Sequence, residues 1–143
     1  MKQIHTTHSS EETEALARDL AKKLKPGDCL ALCGDLGAGK TCFVHGLFEG
    51  LKGDPAYFVS SPTFAIMQIY PTQKGPLYHI DLYRLNSYAD FQNLDFDEMI
   101  DREKGIVVIE WANKIPELES YFTCKILFES RKGDERKIEI VSS

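Results

Sequence analysis

The chain has no run of 18 apolar residues, so no segment of it reads as a bilayer-spanning helix, and no membrane role is expected. Met1-Lys2-Gln3-Ile4-His5-Thr6-Thr7 lacks the apolar stretch of a signal peptide, which gives the expectation of a cytoplasmic protein. Basic blocks are missing too. Lys22-Lys23, Arg131-Lys132 and Arg136-Lys137 are short pairs among acids, and the net charge is −5. A direct nucleic-acid binder draws much of its affinity from neutralising phosphates with a basic face. Any service to nucleic-acid chemistry is therefore expected to run through another protein. Cys29, Cys33, Cys42 and Cys124 do not form the paired C-x-x-C spacing of a zinc site and read as free thiols, mostly buried. There is no internal repeat, linker or low-complexity stretch.

What is present belongs to an ordinary soluble globule. Of 143 residues, 43% are apolar and 27% charged, enough for one core and one domain spanning 1–143. Ser9 followed by Glu12 is a capping-box pattern, and Leu16, Leu20 and Leu24 with Ala17 and Ala21 give the helix it opens an apolar stripe. Pro26-Gly27 ends that helix. Cys29-Leu30-Ala31-Leu32-Cys33 is apolar throughout, as in a strand covered on both faces, and places Cys29 and Cys33 on one side. A second helix is expected from about Lys40 to Leu51. Phe64 to Tyr70 and Leu77 to Tyr83 read as a hairpin, and Tyr88 to Arg102 as weakly helical. Ile106 to Ile109 is another buried strand, and Cys124 to Phe128 with Lys137 to Val141 form a second hairpin. Strands alternating with helices and ending in antiparallel strands predict an α/β fold: P-loop NTPase-like, with a mixed central sheet flanked by helices.

The strongest chemical signal is Gly34-Asp35-Leu36-Gly37-Ala38-Gly39-Lys40-Thr41, which meets G-x-x-x-x-G-K-[S/T] at every fixed position. Glycines let such a loop turn its N–H groups onto phosphate oxygens, and the helix that follows adds its positive end. Lys40 is placed to reach the β- and γ-phosphates and the Thr41 hydroxyl to ligate magnesium. Asp35 to Thr41, with Cys42 in the first helical turn, form the expected nucleotide cradle. Such a site also needs an acid at the tip of a neighbouring strand. Glu110 follows Ile106-Val107-Val108-Ile109, and Asp81 follows Leu77-Tyr78-His79-Ile80. One should hold the metal and the other orient water; the sequence does not assign them. Thr63, in Ser60-Ser61-Pro62-Thr63-Phe64, falls where switch-type nucleotidases sense the γ-phosphate, although on spacing alone a plain strand-entry loop fits as well. His79 shares a strand face with Asp81 and reads as a core histidine or one supporting the acids. His45 reads as a packing or surface residue, and Trp111 as bordering the site.

Asn113-Lys114 suggests the guanine-reading N-K-x-D motif, but position 116 is Pro116, so ATP is expected over GTP. Arg84 and Arg102 are too scattered for the lid of a small-molecule kinase. A module that uses ATP only as a clamp is the remaining rival.

Taken in order, the P-loop, Ser61-Pro62-Thr63-Phe64, Tyr78-His79-Ile80-Asp81-Leu82-Tyr83-Arg84-Leu85 and Ile109-Glu110-Trp111 resemble the TsaE (YjeE) ATPases over most of the chain. The resemblance implies a slow, Mg2+-dependent ATPase that supports threonylcarbamoyladenosine formation beside the anticodon of tRNA. It would act with TsaD- and TsaB-type proteins and would not itself transfer the group. It further implies nucleotide, magnesium and hydrolysis roles for Lys40, Thr41, Asp81 and Glu110, a place beside the nucleotide for Trp111, and a switch role for Thr63. Three positions depart from the family pattern. Cys42 stands where a second threonine is common, Ala112-Asn113 replaces a common Pro-Glu pair, and Ala89 to Phe96 only weakly matches the usual acidic, glycine-containing stretch.

Overall fold

All seven strands join one mixed sheet, in the order β1-β7-β6-β2-β5-β4-β3. The computed structural model describes residues 2–34, 39–60, 67–95, 98, 100–101 and 103–142. The elements are β1 (Lys2–Thr7), α1 (Ser10–Ala21), β2 (Cys29–Gly34), α2 (Lys40–Gly50), β3 (Met67–Tyr70), β4 (Leu77–Asp81), α3 (Tyr88–Gln92), β5 (Ile106–Glu110), β6 (Cys124–Ser130) and β7 (Arg136–Ser142). Two 3₁₀ turns, Ala112–Lys114 and Pro116–Tyr121, lie between β5 and β6.

The middle of the sheet is parallel: β2 pairs with both β5 and β6, and β4 with β5. The flanks are antiparallel, β3 on β4 at one side and β7 on β6 with β1 on β7 at the other. Period-two alternation divides the strand residues between two cores. Leu30 and Leu32 of β2 and Ile106 and Val108 of β5 pack with α1 and α2. Cys29, Ala31, Val107 and Ile109 pack on the other face with Leu85, Ala112, Ile115 and Leu118. Cys33 joins Cys29 there, as the four-residue spacing requires. By the same alternation His79, Asp81 and Glu110 belong to the face that carries α2.

α1 starts as its sequence dictates. Ser9 is the N-cap, its hydroxyl accepting from the Glu12 N–H at 3.1 Å. The return bond of a capping box lands one residue early, on the His8 N–H at 3.3 Å. Close approach of α1 and α2 depends on Gly46: a Cβ there would come within 2.4 Å of the Glu14 carbonyl oxygen. That contact fixes how α2, and therefore its N-terminus, lies over the sheet.

One expectation needs revision, and two further features had no sign in the sequence reading. β1 is a strand although its residues show no apolar alternation; it is an edge strand, largely exposed, held by the β7 ladder and by a buried hydroxyl pair, Thr7 with Thr13, at 2.8 Å. Of the weak helix expected from Tyr88 to Arg102, the described residues form the five-residue α3, with Glu98 helical as well. Ser87 caps α3, and left-handed Asp95 (φ 52°) marks the turn that follows. The stretch after β5 is largely 3₁₀. Trp111 turns the chain by adopting a left-handed backbone (φ 59°), and Pro116 opens the second 3₁₀ turn. The two expected hairpins, β3–β4 and β6–β7, both form. Among the described residues no helix is long and apolar enough to cross a membrane.

Candidate functional site

Parallel register brings the two proposed acids together. Asp81 and Glu110 are the last residues of β4 and β5 and are directly paired across the ladder. β5 lies beside β2, with Leu32 opposite Glu110, so β2 delivers the chain to position 34 beside the same strand ends. This is the carboxyl edge of the parallel strands, where ligands bind in open α/β sheets.

α2 then begins at Lys40, with Gly39 as N-cap in the left-handed region (φ 95°). Gly39 brings no side-chain cap to this end, and a helix start favours an anion through its N–H groups and dipole. Lys40 turns back toward β2. Its ammonium donates to the Gly34 carbonyl at 3.2 Å and lies 3.7 Å from the centre of the Trp111 ring. Lysine and tryptophan, 71 positions apart in sequence, thus meet directly. The lysine is 5% exposed. Its stem is covered while its head lies against a π face and a carbonyl, arrangements that stabilise a buried cation.

Asp81 and Glu110 are buried, as is the whole of β4 and β5. An Asp81 oxygen accepts from the Tyr83 N–H at 2.9 Å, an Asx-type turn that leads the chain away from β4. Glu110 accepts from the imidazole of His79, which is fully buried. Behind this pair Tyr70 packs at 6.2 Å between ring centres from His79, and its hydroxyl donates to the Ser60 carbonyl at 3.3 Å. Burial raises the Tyr70 pKa, the Ser60 bond opposes that shift, and the nearby Glu110 charge adds to it. Tyr83 stacks at a tilt on Trp111, 5.2 Å between centres, and Lys114 donates to the Tyr83 carbonyl.

Thr41 is exposed and Cys42 half-buried in the first turn of α2. Gly39 and Cys42 also line a cavity of 280 Å³ whose other walls include Ser9 and Thr13 from the start of α1 and Asp134 and Arg136 from the β6–β7 turn. Sequence reasoning missed this cavity, because three segments far apart in the chain build it and no local pattern joins them. Tyr70 and Tyr83 were missed for the same reason. Of the residues singled out, Gly39, Lys40, Thr41, Cys42, Asp81, Glu110 and Trp111 gather at one edge of the sheet. Asp35, Leu36, Gly37, Ala38 and Thr63 lie outside the described residues. His45 stands apart, half-buried between α1 and α2, with Glu14 at 3.3 Å and Glu49 at 3.5 Å.

A family model described as "Threonylcarbamoyl adenosine biosynthesis protein TsaE" matches residues 7–138. The chain belongs to the TsaE family. A Bacillus subtilis protein named "tRNA threonylcarbamoyladenosine biosynthesis protein TsaE" is 41% identical over 139 residues, covering 96% of this chain and 85% of its own. An Aquifex aeolicus protein of the same name is 39% identical, covering 92% and 89%. The crystal structure of Bacillus subtilis YdiB superposes with a TM-score of 0.75 at 34% identity, over 99% of this chain and 86% of that one. Family membership thus spans β1's end to β7, including both carboxylate strands and α2.

Magnesium and a triphosphate suit this TsaE site on its own chemistry. Thr41, Asp81 and Glu110 offer a hydroxyl and two carboxylates, the all-oxygen set a hard divalent cation takes. The start of α2 and the Lys40 ammonium offer positive potential at the same edge of the sheet.

Proposed function

We propose that this chain binds ATP with magnesium, hydrolyses it slowly, and thereby supports threonylcarbamoyladenosine formation in tRNA together with TsaD- and TsaB-type proteins in the cytoplasm. The observation that carries the reading is the convergence of Lys40, Asp81 and Glu110 at one edge of the sheet, although they come from three separate stretches of sequence. It is supported by the P-loop pattern from Gly34 to Thr41 and by membership of a family whose described role is this biosynthesis.

The residues divide the work by their chemistry. Backbone N–H groups at the start of α2 bind phosphate oxygens, and Lys40 neutralises charge that grows on them as the terminal bond breaks. To do so its head leaves the Gly34 carbonyl, while Trp111 offers a continuing π face. Thr41, Asp81 and Glu110 hold the magnesium ion or its waters, and one of the two carboxylates orients the attacking water. Bound magnesium would supply charge neutralisation across the β- and γ-phosphates. The cavity lined by Gly39, Cys42, Thr13 and Arg136 is where the nucleoside end fits, since it adjoins the first turn of α2 on the side away from the carboxylates' strands; its 280 Å³ is near the lower bound of about 300 Å³ for ligand pockets.

Partners enter through charge and size. A net charge of −5 with no basic block in the sequence makes strong solo binding of tRNA unfavourable. The functional test adds a purified TsaB–TsaD-type pair and tRNA to wild type and to Glu110→Gln, then follows ATPase and modified nucleoside over several turnovers. The reading expects wild type alone to sustain nucleoside formation. Equal nucleoside yield from wild type, mutant and no added protein would reject the tRNA role and leave the ATPase site standing.

A further inference from the structure

Glu110 has three side-chain torsions to fix before its carboxylate can meet a phosphate-bound partner at a set distance. Misplacement by about 1 Å costs on the order of a hundredfold in rate. Among the described residues one group alone bonds to that carboxylate: the imidazole of His79, whose Nε2 meets Glu110 Oε2. Both side chains are buried, so water does not compete for this bond. The other ring nitrogen, Nδ1, has no hydrogen-bond partner among the described residues. A carboxylate oxygen only accepts, so Nε2 carries the shared proton and donates.

The strand geometry explains why a histidine stands here. His79 pairs with Val108 in the β4–β5 ladder, and Glu110 lies two residues further along the same face. Asp81 lies two residues beyond His79 on β4, so this one strand carries both an acid of the site and the group that orients the neighbouring acid. Tyr70, on β3, closes the ring's other side and is itself tied to Ser60. The imidazole therefore has a walled slot, with its donor aimed at Glu110.

We propose that His79 is a positioning residue: its Nε2–H holds one Glu110 oxygen, fixing the rotamer so that the other oxygen is presented to the nucleotide side. This rests on the reading of Glu110 as a working carboxylate of an ATPase. It assigns a purpose to a histidine that lies outside the P-loop and need not touch nucleotide.

The test uses His79→Gln and His79→Leu, each alone and combined with Glu110→Gln. Glutamine keeps an N–H donor three bonds from Cβ, as in Nε2 of histidine; leucine fills space without one. His79→Leu should lower kcat for ATP about 10- to 100-fold, the usual effect of losing a partner that orients a functional ligand, with KM changed less than about twofold. His79→Gln should recover most of that loss. In the Glu110→Gln background the leucine variant should cost nothing more, because its effect acts through Glu110. Crystal structures supply a readout that needs no turnover: Glu110 in one rotamer in wild type and His79→Gln, and displaced or split in His79→Leu. Melting curves on every variant separate misfolding from misplacement. If Glu110→Gln hydrolyses ATP at the wild-type rate, the reading of Glu110 fails and this inference with it. If Glu110→Gln is slow while His79→Leu matches wild type, only the positioning role is overturned. Equal losses in both His79 variants, repeated in the Glu110→Gln background, would also overturn it and leave a purely structural histidine.

Discussion

Replacing Gly34 with alanine perturbs the point where the sheet becomes the phosphate loop. Residue 34 ends β2 with φ at +138°, a region that L side chains rarely adopt, and faces Phe128 across the β2–β6 ladder. A Cβ there would stand 2.3 Å from the Phe128 carbonyl oxygen and 2.9 Å from its Cβ. The first obstacle is backbone in a parallel ladder, which no rotamer change relieves. Holding a non-glycine residue in such a conformation costs about 1–3 kcal/mol. Pushing β6 aside adds an overpacking cost of about 1–3 kcal/mol, because Phe128 is packed edge-on against Phe43 of α2, 5.5 Å between centres. The sum is roughly 2–6 kcal/mol, and at about 2–4 °C per kcal/mol for a chain of this size a fall in Tm near 10 °C is expected. Gly133→Ala is the matched control. Its φ of +67° is also positive, but nothing lies within 4 Å of the added methyl, so only the backbone cost of about 1 kcal/mol applies. Nucleotide affinity should fall in Gly34→Ala, whose carbonyl accepts from Lys40, and stay unchanged in Gly133→Ala. Calorimetric melts and ATP titrations on both proteins decide the matter. Equal melting temperatures, or wild-type ATP affinity in Gly34→Ala, would refute the close-approach argument.

Lys40→Ala should abolish tight triphosphate binding; because the lysine is buried against Trp111, it should also lower Tm slightly, by the roughly 0.5–2 kcal/mol of a cation–π contact. Undiminished ATP affinity in the folded variant would sink the phosphate-binding role. Asp81→Asn and Glu110→Gln should each reduce hydrolysis by about 10²–10³ while changing ADP affinity far less, since developing charge is what they serve; rate and binding measured on the same samples check this. Competition titration should show ATP preferred to GTP, given Pro116 where a guanine-reading acid would stand. Stability should decline above about pH 9. Burial, aided by the Asp28 charge, pushes the Cys124 thiol from 9.0 up to about 11, and burial raises Cys33 and Tyr70 as well. The unfolded chain ionises first as pH rises. Between the unfolded and the folded pKa of each group, stability therefore falls by at most about 1.4 kcal/mol for every step of one in pH. Cys124→Ala should flatten that slope in urea melts between pH 9 and 11; an unchanged slope would remove Cys124 from the account.

Local signals were legible wherever the chemistry is local. The Ser9 cap, the buried runs of β2 and β5, the helix from Lys40 and both hairpins each depend on residues within a few positions of one another, and each formed as read. β1 was illegible because its hydrogen bonds come from β7, over a hundred positions away, and an exposed edge strand needs no apolar alternation. The run from Tyr88 to Arg102 looked helical from its apolar residues, but Phe91, Leu94 and Ile100 reach the second core from a short helix and turns instead.

The sequence by itself determined the inventory of the site: a phosphate-loop pattern, two strands each ending in an acid, and a tryptophan after one of them, in a chain of net charge −5 without a basic block. Only the tertiary structure decided the pairings. It set Asp81 opposite Glu110, laid Lys40 on Trp111, committed His79 to Glu110, and built a cavity from α1, α2 and the β6–β7 turn. The physical reason is range. Capping, periodicity and turn chemistry act between neighbours in the chain, whereas ladder register and side-chain contact join residues 29 to 71 positions apart, and a single residue's slip in register would turn every side chain of a strand to the opposite face.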